Sequence, residues 1–158
     1  MSEKRQSRLG VGPRIALPAA VYAAFAGAAT RRWPGLFLLR SVPYSALLIA
    51  GSLLLLLGIA LLAFAVIFMV RGHSRDELVT RGPFALCRHP LYAAWIVLIL
   101  PGLALLTRSW PLLIMPLVAY AAFRLAIRQE DAYLSRRFGP AYFEYRARVN
   151  ELLPIPRL

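Results

Sequence analysis

Two places in this chain of 158 residues set reactive side chains against long apolar runs. The first is Asp76 to Trp95, DELVTRGPFALCRHPLYAAW, which lies between the longest uncharged run of the protein and the next apolar segment. Polar chemistry held at a membrane surface is a functional hypothesis by default. Gly82-Pro83 predicts a turn, and Pro90 opens the following helix at a position that tolerates a missing N–H. His89, just before a proline, is pushed toward extended geometry. Tyr92 then falls in the first helical turn, where free N–H groups can receive a carboxylate or another polar ligand group. Phe84, His89 and Tyr92 offer flat faces to a purine, or π faces to a cation. The same features also fit an interfacial aromatic belt around a satisfied histidine.

The second place is Glu130. On an ideal helix its neighbours are Phe123, Ala126, Ile127, Tyr133 and Leu134, which places a carboxylate in an apolar stripe. Asp131 falls instead beside Arg124, Arg128 and Ser135 on a polar face. A buried carboxylate needs a cationic or hydrogen-bonding partner. That partner is either structural, such as Arg88 or Arg137, or the ammonium group of a ligand.

Cys87 is the only cysteine, so no intrachain disulfide exists, and it reads as a small semi-buried residue rather than a nucleophile. His73 and His89 are the only histidines, and no cluster has metal-ligand spacing. Gly10-Val11-Gly12 resembles a piece of a dinucleotide fingerprint. No strand precedes it and a proline comes next, so it reads as loop.

The elements that position these residues are read from composition. Hydrophobic residues make up 59% and the mean hydropathy is +0.61, far beyond a soluble domain. All but one of the 19 basic residues are arginine, against 7 acids, for a net charge of +12. A nucleic-acid binder would gather such charge on one soluble face. Here the cations flank apolar runs, which fits anionic lipid headgroups and excludes nucleic acid as the expected partner.

Residues 1–14 read as a flexible basic arm. Ile15 to Thr30 is an alanine-rich apolar segment that resembles a signal peptide in layout. It reads as a retained helix, because the segment after it is itself membrane-embedded. Ser41 to Val70 carries no charge and is the clearest transmembrane helix. Gly51 and Gly58 lie on one of its faces, where they either admit a neighbouring helix or simply face lipid. Leu91–Thr107 and Ser109–Phe123, joined at Arg108 and carrying Pro101, Pro111 and Pro116, predict a tight, kinked hairpin whose second helix continues to about Phe138.

The whole is expected to be one all-α, polytopic membrane domain with about four transmembrane helices. Its parts are residues 15–70 (first two helices), a cytoplasmic cofactor loop at 71–90, the hairpin at 91–123, and a cytoplasmic helical extension at 124–158. It would sit in a membrane, such as a prokaryotic inner membrane.

VTRGPFALCRHPLYAAW and QEDAYLSRRFGPAYFEYRARVNELLP together resemble the isoprenylcysteine carboxyl methyltransferase family and its bacterial phospholipid-methyltransferase-like relatives. The shared pattern is a Thr-x-Gly-Pro loop leading to Arg-His-Pro-x-Tyr, then paired acids eight residues before Phe-Gly, then Tyr-x-x-Tyr. It covers residues 76 to 154, about half of the chain. The resemblance implies an integral membrane methyltransferase that uses S-adenosylmethionine. It implies cofactor contacts at Asp76, Glu77, Leu78, Val79, Phe84, His89, Pro90, Leu91, Tyr92 and Glu130.

Methyl transfer from a sulfonium depends on alignment and desolvation more than on acid–base catalysis. In the carboxyl methyltransferases an arginine stands four residues before the cofactor glutamate, and here that position is Ala126. Arg124 or Arg128 is left as the substitute, so Arg128 and Glu130 are the candidate catalytic residues. Asp131 stands for the second glutamate of the pair. The expected substrate is lipophilic and enters from the bilayer: a phospholipid amine, a prenyl-like carboxylate, or a lipophilic thiol or phenol. Alternatives are an enzyme of the sterol-reductase type, using NADPH, and a catalytically silent lipid- or partner-binding protein of the same fold.

Orientation is read from the cations. With the N-terminus inside, inner segments hold 15 of the basic residues and all seven acids, and outer turns hold only Arg31, Arg32, Arg40 and Arg108. The positive-inside rule therefore places both termini and the 71–90 loop in the cytoplasm. A reporter active only outside the cytoplasm, fused at Leu158, should stay silent; activity there would overturn the topology.

Overall fold

The computed structural model describes residues 12–74 and 77–153. Asp76, the first two residues of the Gly10-Val11-Gly12 fragment and most of the basic N-terminal arm lie outside them. The described residues are helical, with one isolated bridge between Leu38 and Ser109.

The uncharged run becomes helix α3, Tyr44–Ser74. It starts three residues later than Ser41 because Pro43 caps it, its carbonyl accepting from the N–H groups of Ala46 (3.1 Å) and Leu47 (3.3 Å). The first apolar segment forms α1, Gly12–Arg32, which runs on into Arg31 and Arg32 because long arginine stems let the charge reach out from an apolar helix. A one-turn helix, α2 (Pro34–Phe37), comes after it. Beyond α3, the single turn of α4, Pro83–Leu86, leads into the hairpin, whose first arm is α5, Pro90–Leu106. The hairpin's second arm is α6, Pro111–Phe138, and α7 is Pro140–Arg148.

Prolines shape the hairpin. Within α5, Ala94–Ile99 is a π-helical stretch that ends two residues before Pro101. A helical proline clashes with the carbonyl four residues back, and a locally widened turn relieves that clash. α6 begins with a 3-10 turn, Pro111–Ile114, and Pro116 sits in the first turn of the α-helix after it, where no N–H is missed. Arg108 turns the chain between the two arms with φ 56°. Its carbonyl accepts from Leu39 N–H at 2.7 Å, and Phe37 C=O accepts from Trp110 N–H at 3.1 Å. These bonds tie the hairpin tip to the segment after α2.

α1 packs along α6 and α3 packs along α5, while α5 and α6 join the two pairs. The α3–α5 contact is made close by glycine. A Cβ at Gly51 would lie 2.9 Å from the Gly102 carbonyl, and one at Gly58 would lie 2.7 Å from Ile99. Of the two roles open to Gly51 and Gly58, the structure shows the helix contact. Both α3 and α6 are long and apolar enough to cross a membrane, and α5 is apolar but shorter. Only 11% of the most apolar window of α3 is buried, with Ile49, Leu53, Leu56, Ile59 and Phe64 among the exposed side chains. The core helix of a soluble protein would be mostly covered, so this surface is one for lipid.

Gly51→Ala and Gly58→Ala should each lower thermal stability in detergent by about 1–3 kcal/mol, through forced separation of α3 and α5. Gly27→Ala has nothing within 4 Å of the new methyl and should be neutral or stabilising. Thermal unfolding of the three variants checks this.

Candidate functional site

The site is assembled where α5 begins. Gly82 takes φ +60°, a conformation that suits glycine and brings the chain against the Phe68 ring at the end of α3. After the single turn of α4, Cys87 is extended and His89 is non-helical at φ −126° and ψ 63°, outside the α region that a following proline disfavours but short of the extended geometry expected from the sequence. His89 caps α5, its carbonyl accepting from Ala93 N–H at 2.9 Å. Pro90 then starts the helix and Tyr92 stands in its first turn.

α6 passes beneath this step and α7 returns across it. The segment after α7 pairs with the loop backbone: Arg88 N–H donates to Asn150 C=O (2.8 Å) and His89 N–H to Glu151 C=O (3.0 Å). The Tyr145 hydroxyl donates to Phe84 C=O at 2.6 Å. Three distant segments therefore hold the Arg88-His89-Pro90 step in place.

Arg88 is buried, its side chain 1% exposed. Its Nη1 lies 3.1 and 3.3 Å from the two Asp131 oxygens and donates to Tyr142 Oη at 3.0 Å. Its Nη2 is 3.2 Å from Glu151. The Tyr142 hydroxyl donates in turn to Asp131, and Tyr142 is fully buried. Removing one member of such a buried pair leaves an uncompensated charge, which costs about 3–5 kcal/mol. The Arg124–Glu151 pair is half exposed and is worth at most about 1 kcal/mol. The buried cluster dominates the energetics of this end of the molecule.

Beside it stands the second carboxylate. The Tyr92 hydroxyl donates to Glu130 Oε2 at 3.2 Å, and His89 Nδ1 lies 3.7 Å from Glu130 Oε1. The His89, Tyr92 and Phe123 rings meet with centroids 5.4 to 6.0 Å apart, and Phe123 continues to Tyr120 at 6.4 Å. A carboxylate, a phenol and an imidazole thus meet against a cluster of aromatic rings, with Glu130 partly exposed and His89 and Phe123 buried. Such a set suits a ligand that carries both a cation and a flat or apolar body.

The two carboxylates exchange the roles expected from the helical wheel. Asp131 is the buried one and takes Arg88, whereas the Glu130 side chain is 27% exposed and faces the cleft. The reason is tertiary: α7 covers the face of α6 that carries Asp131, which a wheel drawn on α6 alone treats as open. Arg88 is therefore the partner of the neighbouring acid. Arg137 donates to Tyr133, one turn earlier on its own helix, at 2.7 Å.

Of the residues singled out from the sequence, His89, Pro90, Leu91, Tyr92 and Glu130 come together. Phe84 is held nearby through its carbonyl. Glu77 donates its N–H to Gly72 C=O at 3.2 Å and Val79 packs on Gly72, so Glu77, Leu78 and Val79 follow the end of α3. Arg128 is exposed and roughly opposite Glu130 on the helix. Cys87 is buried, which pushes its thiol up to about 11, although the His89 N–H works against that rise. It stays un-ionised at neutral pH, as an inert packing residue does. Burial likewise raises Tyr142 and Tyr145. No group of metal-binding side chains occurs among the described residues. Sequence reasoning missed Tyr142 and Glu151 as partners of Arg88. The Tyr142-x-x-Tyr145 spacing, which puts both phenols on one face of α7, was the available signal.

Comparison with known proteins adds an independent line. The model of the isoprenylcysteine carboxyl methyltransferase (ICMT) family matches residues 44–136. The chain is 40% identical over 86 residues to the nickel-cobalt-cadmium resistance protein NccN of Alcaligenes xylosoxydans xylosoxydans, covering 54% of this chain and 39% of that one. It is 37% identical over 86 residues to the cobalt-zinc-cadmium resistance protein CzcN of Cupriavidus metallidurans, with the same coverage. It is 36% identical over 93 residues to the protein-S-isoprenylcysteine O-methyltransferase of Schizosaccharomyces pombe, covering 59% of this chain and 39% of that one. The chain thus spans well under half the length of these relatives. No solved structure matches. The matched region runs from the start of α3 through the Arg88–Asp131 pair, and the chain belongs to the isoprenylcysteine carboxyl methyltransferase family.

Proposed function

We propose that this chain is an integral membrane methyltransferase that uses S-adenosylmethionine and acts on a lipophilic acceptor. The observation that carries the reading is the meeting of His89 and Tyr92, at the start of α5, with Glu130 on α6. The residues present fit the cofactor. Glu130 offers a partly exposed carboxylate to an ammonium, and Tyr92 and His89 flank it. Tyr92, half-buried beside Glu130, offers a π face to a purine or a sulfonium, and the buried His89 and Phe123 rings pack against it. When bound, the cofactor supplies an electrophilic methyl group. The protein's own part is to hold and align the reactants and to keep water away, which Phe123 and Pro90, both fully buried, help to do.

The proposal extends to topology, with four membrane helices, both termini and the 71–90 loop cytoplasmic, and the cleft on that side. The distribution of basic residues and acids along the chain supports it. The acceptor enters laterally from the bilayer. Position 126 holds a buried alanine, Arg124 pairs with Glu151, and Arg128 is exposed away from Glu130. The acceptor class is therefore lipophilic and is not narrowed to a prenylcysteine carboxylate.

That alanine also favours a second reading: a catalytically silent member of the family that keeps the cleft for lipid or partner binding. Titration of the purified protein with S-adenosylmethionine, S-adenosylhomocysteine and NADPH separates the readings. Methyltransferase chemistry requires binding of the first two, a reductase binds the third, and a silent protein binds none. Glu130→Ala and His89→Ala should each weaken S-adenosylmethionine binding by at least about tenfold in calorimetry. Unchanged affinity in both variants would sink the assignment.

A further inference from the structure

Asp131 stands one residue from Glu130 but is turned away from the cleft, and no step of the proposed reaction needs it. Its surroundings are nonetheless specific. Arg88 Nη1 and the Tyr142 hydroxyl both donate to it, from the loop and from α7. A third group points at it. His89 Nε2 is buried, has no hydrogen-bond partner, and lies 3.5 Å from Asp131 Oδ1. The other imidazole nitrogen, Nδ1, lies 3.7 Å from Glu130 Oε1. His89 is thus strung between two carboxylates with its ring packed edge-on against Phe123.

A neutral imidazole carries one N–H donor and one acceptor. An N–H left unpaired in the interior is costly, and Asp131 is the acceptor within reach of buried Nε2. Asp131 cannot swing away to meet it, because Arg88 and Tyr142 grip it from two other elements. We propose that Asp131 is a positioning residue: its clamped carboxylate takes the Nε2–H of His89 and leaves Nδ1 as an acceptor beside Glu130. This inference rests on the reading of the cleft as the cofactor site.

It has a consequence for what the cleft recognises. With Nδ1 unprotonated, two acceptors stand 3.7 Å apart, the charged one partly exposed. The Tyr92 hydroxyl already serves Glu130 from one side. The remaining electron pairs suit a group with several N–H bonds and a positive charge, which a primary ammonium provides. The buried aspartate thereby sets the ligand preference of a cleft it does not touch, through the orientation and tautomer of one histidine. Among the described residues Arg146 on α7 also lies near Asp131, 4.0 Å from Oδ2 and half exposed.

The test uses the whole chain in detergent micelles at neutral pH, labelled with nitrogen-15 in histidine. Only His73 and His89 give signals, and His73→Gln assigns them. Long-range proton–nitrogen correlation should show His89 with a protonated Nε2 and a bare Nδ1. Asp131→Asn should abolish that single tautomer. Tyr142→Phe, which removes an equally buried bond to the same carboxylate, should lower thermal stability but keep the tautomer.

Calorimetry adds a functional reading. Asp131→Asn should cut the preference for S-adenosylhomocysteine over its deaminated analogue by about tenfold, and Tyr142→Phe should change it less than about twofold. A protonated Nδ1 in the unaltered protein overturns the proposal, even if Asp131→Asn does not fold. So does a folded Asp131→Asn with an unchanged His89 tautomer. If the unaltered protein binds no S-adenosylhomocysteine, the methyltransferase reading fails, while the histidine spectrum still decides the role of Asp131.

Discussion

A buried guanidinium organises this protein. Arg88 lies in a loop, with 1% of its side chain exposed, and its charge must be met or the loop cannot sit where it does. The groups that meet it come from far along the chain: Asp131 from α6, Tyr142 from α7, Glu151 from the segment beyond. Each of these reaches Arg88 only if α6 passes under the loop and α7 folds back over it. The charge therefore imposes an architecture. Because His89 and Pro90 come directly after it, the same constraint decides where α5 starts and where the imidazole points.

The remaining helices answer to a different solvent. α3 leaves most of its side chains uncovered, and glycine permits its close approach to α5. In lipid, apolar side chains gain little by packing on each other, so close backbone approach and van der Waals contact hold the helices together. The π-helical stretch in α5 and the 3-10 turn of α6 absorb three prolines without breaking either arm. The result is a continuous hairpin that presents its first turn to α6. Chemistry is confined to one end, where polar groups have partners, and the rest of the chain is a frame that lipid can wet.

Two neighbouring acids show how such a site divides its work. Glu130 is partly open, served by Tyr92 and near His89, and is available to a ligand. Asp131 is closed over and structural. A helix turns by about 100° per residue, so adjacent carboxylates on α6 face different environments and take different tasks. Membership of the isoprenylcysteine carboxyl methyltransferase family accounts for the shared segment from α3 to α6.

The sequence by itself determined a good deal. While the family resemblance joined the two sites, the uncharged run, the prolines and the spacing of acids and aromatics were enough to read a helical membrane protein, to locate the Asp76–Trp95 loop and to single out Glu130. These are local properties: hydropathy, proline geometry and helical periodicity act over a few residues and are written along the chain. What only the tertiary structure decided is which carboxylate is buried. Periodicity on α6 assigned that role to Glu130, because its neighbours are largely apolar, yet α7 covers the Asp131 face instead. Burial is set by whatever segment returns from elsewhere, and no helix records in its own spacing which of its faces another helix will close. For the same reason Arg88 could be named as one candidate partner for a carboxylate on α6, while which carboxylate it meets waited on the fold.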